Sequence, residues 1–463
     1  MANANGKLIL IVDGYSTGRE LVRELNRRGA ICIHLRSTPE IPTLAAASFD
    51  PGPYAVDLGY LGTVQQALTR IPSVRLDAVV AGSEWGVTFA ESLALALGLP
   101  TNRPETLSAR RDKFDMIQQL HAHRLHAARQ AKIRSAADAH AWARRHDHWP
   151  VVVKPLLSAG SDGVVICHDH ADIHRAVYAA LFHDNLLGGF NDSLLIQSYL
   201  EGPQFIVNTV SQRGTHHVTD AWHVDYRIVR GGSMAMESMT LLDPDAPPSH
   251  ALFDYTRRAI SALGIENSPA HSELRITEQG PALIETGARL MGGMMDAPSY
   301  AVAGLPTQAS RFADLLAAPR DPVGPGTYER RRHLAKVFFV FGDSGRVTST
   351  QGLRKLASLP SFHAHYRPLA PGARVWRTSD SLFCGGVVYL VHDDPLQIRL
   401  DIAQFRAWEA ARALYAVEAV EAAAPAGAGA GAGAAIAVSA HAGAGDRPCV
   451  ADAALLAIPG GST

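Results

Sequence analysis

The sequence predicts an α/β chain, with a doubly wound parallel-sheet domain at its start, a mixed middle region rich in hairpins, and a strand-rich domain after it. Three observations predict this. The first hundred or so residues alternate short β-branched runs with helical spacing, the pattern of a parallel sheet covered on both faces. The middle carries alternating segments joined by tight breaks, which read as hairpins. At 463 residues the chain is too long for one core, so two to four domains are expected.

In chain order, residues 8–12 (LILIV) form a buried-strand run ending at Asp13-Gly14. Residues 18–28 have helical spacing, with Leu21, Val22 and Leu25 on one face and Gly29 closing it. Strands follow at 30–35 and 77–81, and a helix at 87–97. The GYSTG loop at 14–18 has neither the GxGxxG spacing of a dinucleotide site nor the Lys-Ser/Thr of a P-loop, so it reads as a structural strand-to-helix turn. Glu84 follows a strand's carboxyl end, where open α/β sheets present ligand groups; a helix N-terminal acid is the simpler reading. Residues 104–120 read as a helix whose Arg110, Arg111 and Lys113 form a solvated face, and 127–149 as a helix stopped by Pro150. Strands are expected at 151–154, 164–166, 194–200 and 205–210, a Gly- and Met-rich loop at 231–240, and helices at 247–264 and 302–316, the latter interrupted by Gly304 and Pro306. A Pro/Gly boundary at 320–327 precedes a strand at 335–340, a hairpin turn at 342–345, a strand at 387–392 and a closing helix at 396–417. Residues 422–445 are nearly all Ala and Gly and cannot bury enough surface to offset ordering entropy, which predicts a disordered tail. The expected divisions are 1–104, 105–200, 201–328, 329–421 and 422–463.

Composition narrows function. Lys plus Arg (43) balances Asp plus Glu (44), so nothing suggests a nucleic-acid surface. The four cysteines, Cys32, Cys167, Cys384 and Cys449, are far apart and form no CxxC, which argues against structural zinc or a disulfide framework. The apolar run at 8–12 is too short for a signal peptide or a membrane span, and a reduced cytoplasmic setting is expected. His121, His123 and His126, and His168, His170 and His174, read as surface residues rather than metal ligands.

The chemistry concentrates in HSELRITEQGPALIETGARLMGG, residues 271–293. Its two alternating segments, joined at Glu278-Gln279-Gly280, form a hairpin that can place Glu273 and Glu285 near one end of one face. Arg289 and the Gly292-Gly293 pair follow. Paired carboxylates beside a fixed cation suit Mg²⁺ bound to phosphate. Upstream, VVVKPLLSAGSDGV ends a buried strand on Lys154 and continues into a Gly/Ser-rich tip whose backbone N–H groups can face phosphate.

With these residues in view the chain resembles the ATP-grasp superfamily, within it the carboxylate–amine ligases related to L-amino acid ligases (dipeptide synthetases). The resemblance covers about residues 8–415 and rests on four motifs in family order. ARRDKFDMIQQL supplies Lys113 as the first nucleotide-contacting lysine. VVVKPLLSAGSDGV supplies Lys154 and the phosphate flap of Ser158, Gly160, Ser161 and Gly163. LLIQSYLEGPQF supplies a hinge in which Gln197, Tyr199 and Leu200 meet adenine and Glu201 the ribose. The 271–293 stretch supplies metal ligands Glu273 and Glu285. The resemblance implies a two-lobed ATP-grasp domain over 105–328. It also implies ATP and two Mg²⁺ ions as cofactors, with Mn²⁺ as a substitute, and small-molecule amino acid substrates. The activity implied is an amide bond made through an acyl phosphate, with release of ADP and phosphate, and a homodimer is the assembly expected. Arg289 and Lys154 are the implied catalytic residues, and Glu237, His271, Gly292 and Gly293 the substrate contacts. Many members carry Asn two residues after the second metal-binding glutamate; this chain has Gly287, which leaves the metal count open. Two alternatives stand beside this reading. One is a biotin-type carboxylase, which would need a separate carrier because no Met-Lys-Met motif occurs; the other is a nucleotide-binding module without turnover.

Overall fold

The computed structural model describes residues 6–46, 48–71, 75–158, 160–185, 187–229, 234–292, 295–317, 326–378 and 385–419. The tail at 422–463, Gly293, Cys384, Cys449 and most of the 320–327 boundary therefore lie outside the described residues.

The strand β1 (Leu8–Val12) is buried from both sides: Ile9 and Ile11 enter one core, Leu10 and Val12 another. Parallel pairing with β2 (Ile31–Arg36) on one side, and of β2 with β3 (Val56–Tyr60), leaves β4 (Ala78–Ala81) on β1's other side, in the order β3-β2-β1-β4. The chain reverses direction beside β1, so a crevice opens at the carboxyl ends of β1 and β4. The loops there approach too closely for side chains. A Cβ on Gly82 would sit 2.6 Å from Gly14 Cα, and one on Gly18 would sit 2.5 Å from the Gly82 carbonyl oxygen. That contact carries Glu84 to the crevice.

A four-stranded sheet follows, made of β5 (Gln130–Ile133), β6 (Val151–Pro155), β7 (Val165–Cys167) and β8 (Leu194–Ser198) in the order β5-β8-β6-β7. Helices Ala136–His146 and His170–Ala180 pack on it. The single helix expected over 127–149 is thus a strand and then a helix. Ser135 divides them by accepting the Asp138 N–H as an N-cap, and Ile133 buries in the lobe's core. The helix expected over 104–120 is also shorter. Two 3₁₀ turns precede it, and Asp112 caps Lys113–Ala122 by accepting from the Phe114 and Asp115 N–H groups. Its charges are not a solvated face: Arg110 is buried and bidentate to Glu91.

The central sheet runs β13-β12-β9-β10-β11-β14-β18-β16. It contains β9 (Gln204–Gln212), β10 (Thr215–Ile228), β11 (Met234–Leu241), and the predicted hairpin β12 (Pro269–Thr277) and β13 (Gly280–Gly287). β14 (His333–Phe338), β15 (Gly345–Ser349), β16 (Phe362–Tyr366), β17 (Arg374–Val375) and β18 (Val387–His392) complete the strands before the closing helix. Residues 234–241, expected as loop, are therefore a strand: alternate residues find partners on β10 and β14, which glycine-based reading could not anticipate. The turn at 342–345 is no hairpin, because β14 pairs with β11 and β18 while β15 joins a separate sheet with β17 and β19 (Ala416–Glu418). The closing helix is Pro395–Ala410, followed by β19. No helix among the described residues is long and apolar enough to cross a membrane.

One core residue opposes stability. Lys336 on β14 is 1% exposed, its Nζ makes no hydrogen bond among the described residues, and it lies 4.3 Å over the Trp222 ring and 5.2 Å from that of Tyr300. Burial pushes its pKa down to about 8 despite the attraction of Asp220. The folded state therefore binds fewer protons than the unfolded chain between pH 8 and the ordinary lysine range, and stability rises with pH across that window. Lys336→Met is expected to stabilise the protein at pH 7 by roughly 1–3 kcal/mol, with the gain shrinking towards pH 10. Denaturant unfolding at both pH values measures it; a loss of stability at pH 7 would show that the cation–π contacts dominate.

Candidate active site

In the β12–β13 hairpin Glu273 and Glu285 are direct cross-strand partners, so their side chains share one face at neighbouring positions. A bulge follows at Glu273/Leu274. Gln204 Nε2 donates to Glu273 Oε2 at 3.1 Å, and Lys113 Nζ lies 3.1 Å from Glu285 Oε2.

Two cavities meet at this pair. The larger encloses about 1260 Å³ counted to its open mouth. Lys113, Lys154, Ser158, Gly160, Ser161, Gln197, Tyr199, Leu200, Glu273 and Glu285 all line it, and Val152, Ile166, Tyr226, Met236 and Ile284 give it apolar walls. Lys154 comes from the end of β6, beside the 156–164 loop. That loop turns through left-handed backbone at Gly160, Ser161 and Gly163. Lys113 Nζ donates to the Ser158 carbonyl at 2.7 Å, tying the loop to the head of its helix. Gln197 is buried with Oε1 unpartnered, an acceptor available to a ligand's amino group. Arg275 holds the neighbouring Tyr199 ring, 4.9 Å from its centroid, and donates to its hydroxyl at 2.8 Å.

The smaller cavity, about 400 Å³, is lined by Glu84, Arg110, Arg111, Lys113, Met116, Ser158, His271, Glu285, Thr286, Gly287 and Arg289. Lys113, Ser158 and Glu285 thus line both cavities. Glu84 receives Arg289 Nε at 2.6 Å on one oxygen and Arg111 on the other. A Cβ on Gly287 would lie 3.0 Å from Glu84 Oε2 and 3.4 Å from Arg289 Nε, so the space a side chain there would enter is held by that ion pair. His271 Nδ1 lies 2.9 Å from Asn208 Oδ1, and Asn208 Nδ2 donates to Asp220 at 2.6 Å. On its other side His271 Nε2 lies 3.6 Å from Glu273 Oε1.

The charges tune one another. Burial opposes ionisation of Glu285, but Lys113, Lys154 and Arg289 overcome it and hold its carboxyl at about 2. Burial pushes Lys154 down to about 8, although Glu285 and Glu273 favour its charge. Glu273 and Glu285 fit a divalent ion: both carboxylates are partly exposed in a cavity whose rim carries cations for phosphate. No group of three or more His, Cys, Asp or Glu side chains among the described residues is arranged to hold a metal, so phosphate and water oxygens would complete the shell.

Several expected residues stand elsewhere. Gly163 and Glu201 do not line either cavity, and Glu201 is exposed. Glu237 sits at the β10–β11 bulge, which turns it to Arg227 and, at 3.6 Å, Arg406, while Met234 and Met236 face the cavity; its expected substrate contact is therefore not made from this geometry. Gly292 lies beside Arg289, and Gly293 is outside the described residues. Sequence reasoning missed Arg111, and read Glu84 as a helix acid, although Gly86 is the N-cap of helix Val87–Ala96. The legible signals were Glu84's place at a strand's carboxyl end and Arg111's adjacency to the Lys113 motif.

The family model described as an ATP-grasp domain matches residues 148–297. Dapdiamide A synthase of Enterobacter agglomerans is 31% identical over 421 residues, covering 88% of this chain and 96% of that protein. Among solved structures, an L-amino acid ligase from Bacillus licheniformis superposes with a TM-score of 0.65 at 18% identity, over 90% of this chain and 100% of its own. An ADP complex of N5-carboxyaminoimidazole ribonucleotide synthetase superposes with a TM-score of 0.64 at 13% identity, over 88% and 98%. These two likenesses are of fold.

Burial pushes Lys154 down to about 8, and a phosphate placed beside it would favour its charged form, so phosphate binding there above that pH would take up a proton. ATP affinity is therefore expected to fall as pH rises from 7.5 to 9.5. Lys154→Met should bind about 10–100-fold more weakly at pH 7.5 and lose that slope. Calorimetric titration reads both; an unchanged slope in the variant would remove Lys154 from phosphate recognition.

Proposed function

The chain belongs to the ATP-grasp carboxylate–amine ligases, and from that premise we propose that it joins the carboxylate of one L-amino acid to the amine of another through an acyl phosphate, releasing ADP and phosphate. The observation that carries the reading is the shared wall: Lys113, Ser158 and Glu285 line both cavities, so a γ-phosphoryl group in the larger faces a substrate in the smaller.

In this reading Gln197, Tyr199 and Leu200 bind the base, and Lys113, Lys154 and the 158–163 loop bind the phosphates. Mg²⁺ held by Glu273 and Glu285 would neutralise phosphate charge as a Lewis acid. A carboxylate oxygen in the smaller cavity attacks the γ-phosphorus; the bond to the bridging β–γ oxygen breaks and ADP leaves. The transition state spreads charge over phosphoryl oxygens, so positioning and fixed cations do most of the work. The amine nitrogen then attacks the acyl carbon, the carbon–oxygen bond to phosphate breaks, and His271 Nε2 takes the amine's proton. Arg289 stabilises the oxyanion of the tetrahedral intermediate, a contribution of about 3–4 kcal/mol. The loop over the phosphates excludes water from the acyl phosphate. Dapdiamide A synthase, 31% identical over 88% of this chain, is a synthase and not a carboxylase, which favours this reading over a carboxylase.

Phosphate release measured over a matrix of L-amino acid pairs, with products weighed by mass spectrometry, tests it. Release is expected only with a productive pair, with a product equal to the pair less water. Tight ATP binding without release for any pair would overturn the reading. Glu285→Ala is expected to lower turnover by at least roughly 10²–10³-fold; near-wild-type turnover would remove Glu285 from the reaction.

A further inference from the structure

The smaller cavity holds a positive charge that the chemistry above does not use. Of its cations, Arg110 is already matched by Glu91, with Nε 3.0 and 2.9 Å from the two carboxylate oxygens. Lys113 is matched by Glu285. Arg111 and Arg289 remain, and they share the single carboxylate of Glu84, one guanidinium on each oxygen. Two fixed cations on one carboxylate leave the cavity short of an anion.

Arg111 is where that shortage falls. Arg289 uses Nε on Glu84 and Nη1 on the Leu290 carbonyl at 2.9 Å. Among the described residues Arg111 makes no side-chain hydrogen bond except from Nη1 to Glu84, so Nε and Nη2 remain for another acceptor. Its side chain is 19% exposed and faces the cavity. Burial and the adjacent Arg289 both disfavour its charge, which Glu285 only partly offsets, and its pKa is held down to about 10. Its backbone is fixed: Arg111 N–H donates to the Ser108 carbonyl at 3.0 Å, and the next residue caps the helix that carries Lys113. A guanidinium presented from a rigid turn with two free donors matches a carboxylate's two oxygens.

The reacting carboxylate does not fill this role, because phosphorylation converts it to an acyl phosphate whose charge lies towards the larger cavity. An anion that persists through both steps is required. We propose that Arg111 binds the unreacted carboxylate of the acceptor, and so selects an amino acid over a simple amine as the nucleophile. This rests on the ligase reading above.

The test compares each productive acceptor amino acid with its own carboxamide, in the wild type, Arg111→Gln and Arg111→Lys. The wild type is expected to favour the free acid by about 30-fold or more in kcat/KM. Arg111→Gln should reduce that ratio to near one through the acceptor's KM, leaving the KM for ATP unchanged, and Arg111→Lys should restore part of it. A variant that merely folds poorly lowers both rates together and leaves the ratio intact, which overturns the proposal. So does a wild type that uses acid and carboxamide equally. If Arg111→Gln makes no product, calorimetric binding of the acceptor in the presence of ADP and Mg²⁺ decides: weakening of about tenfold or more supports the proposal, and unchanged affinity overturns it. A wild type that forms no product with any pair counts instead against the ligase reading.

Discussion

Everything in the site depends on keeping Glu285 ionised where burial alone would protonate it. Lys113, Lys154 and Arg289 surround it, and together they hold its carboxyl at about 2. The same carboxylate forms part of the wall between the cavities. Its neighbours are drawn from separate places: Lys113 from the head of a helix, Lys154 from the end of β6, and Arg289 from the chain just past β13. None of these cations would be tolerated so close together without the carboxylate, and the carboxylate would not be charged without them. The cluster is one electrostatic unit, and removing any member leaves an uncompensated charge in a partly dry space.

The N-terminal sheet bears on that unit through the loops that follow β1 and β4. The glycine-only contacts among Gly14, Gly18 and Gly82 bring the ends of β1 and β4 together and deliver Glu84 against Arg289. Thr17 adds a hydrogen bond from its hydroxyl to the Met291 carbonyl at 2.9 Å, so the GYSTG loop braces the segment that follows Arg289. The loop thereby fixes backbone beside the site. Gly287 belongs to the same arrangement. The space that a side chain there would enter is held by the Glu84–Arg289 ion pair.

What could be read from sequence follows the distance over which each interaction acts. The Glu273–Glu285 pairing was legible because a hairpin with a tight turn fixes register locally. Lys154 and its loop were legible because a lysine ending a β-branched run is a local pattern. Arg111's role was not, because its partner Glu84 lies on a different sheet and the charge pattern of 104–120 looks like any solvated helix face. Glu237 failed for another reason: a bulge in a ladder 12 residues apart in sequence is invisible to alternation, and it sends the carboxylate away from the cavity. Strand 130–133 was hidden by Ala-rich composition, which favours helix until tertiary pairing with β8 overrides it.

The displaced Glu237 still bears on the nucleotide cavity. With Arg227, Arg406 and Glu409 it forms a partly buried ion network behind the wall that Met234 and Met236 present to that cavity. Arg406 and Glu409 lie on the closing helix Pro395–Ala410, and Arg406 also donates to the Phe338 carbonyl at 2.9 Å at the end of β14. The C-terminal segment therefore supports the site without entering it. Its strands extend the sheet that carries the hairpin, and its helix fixes, through four charges, the back of β11. A network of this kind contributes little as separate surface pairs, but with shared partners it orders several side chains at once. The apolar wall of the larger cavity is thus held in place by residues of the helix Pro395–Ala410, far in sequence from the motifs at the site.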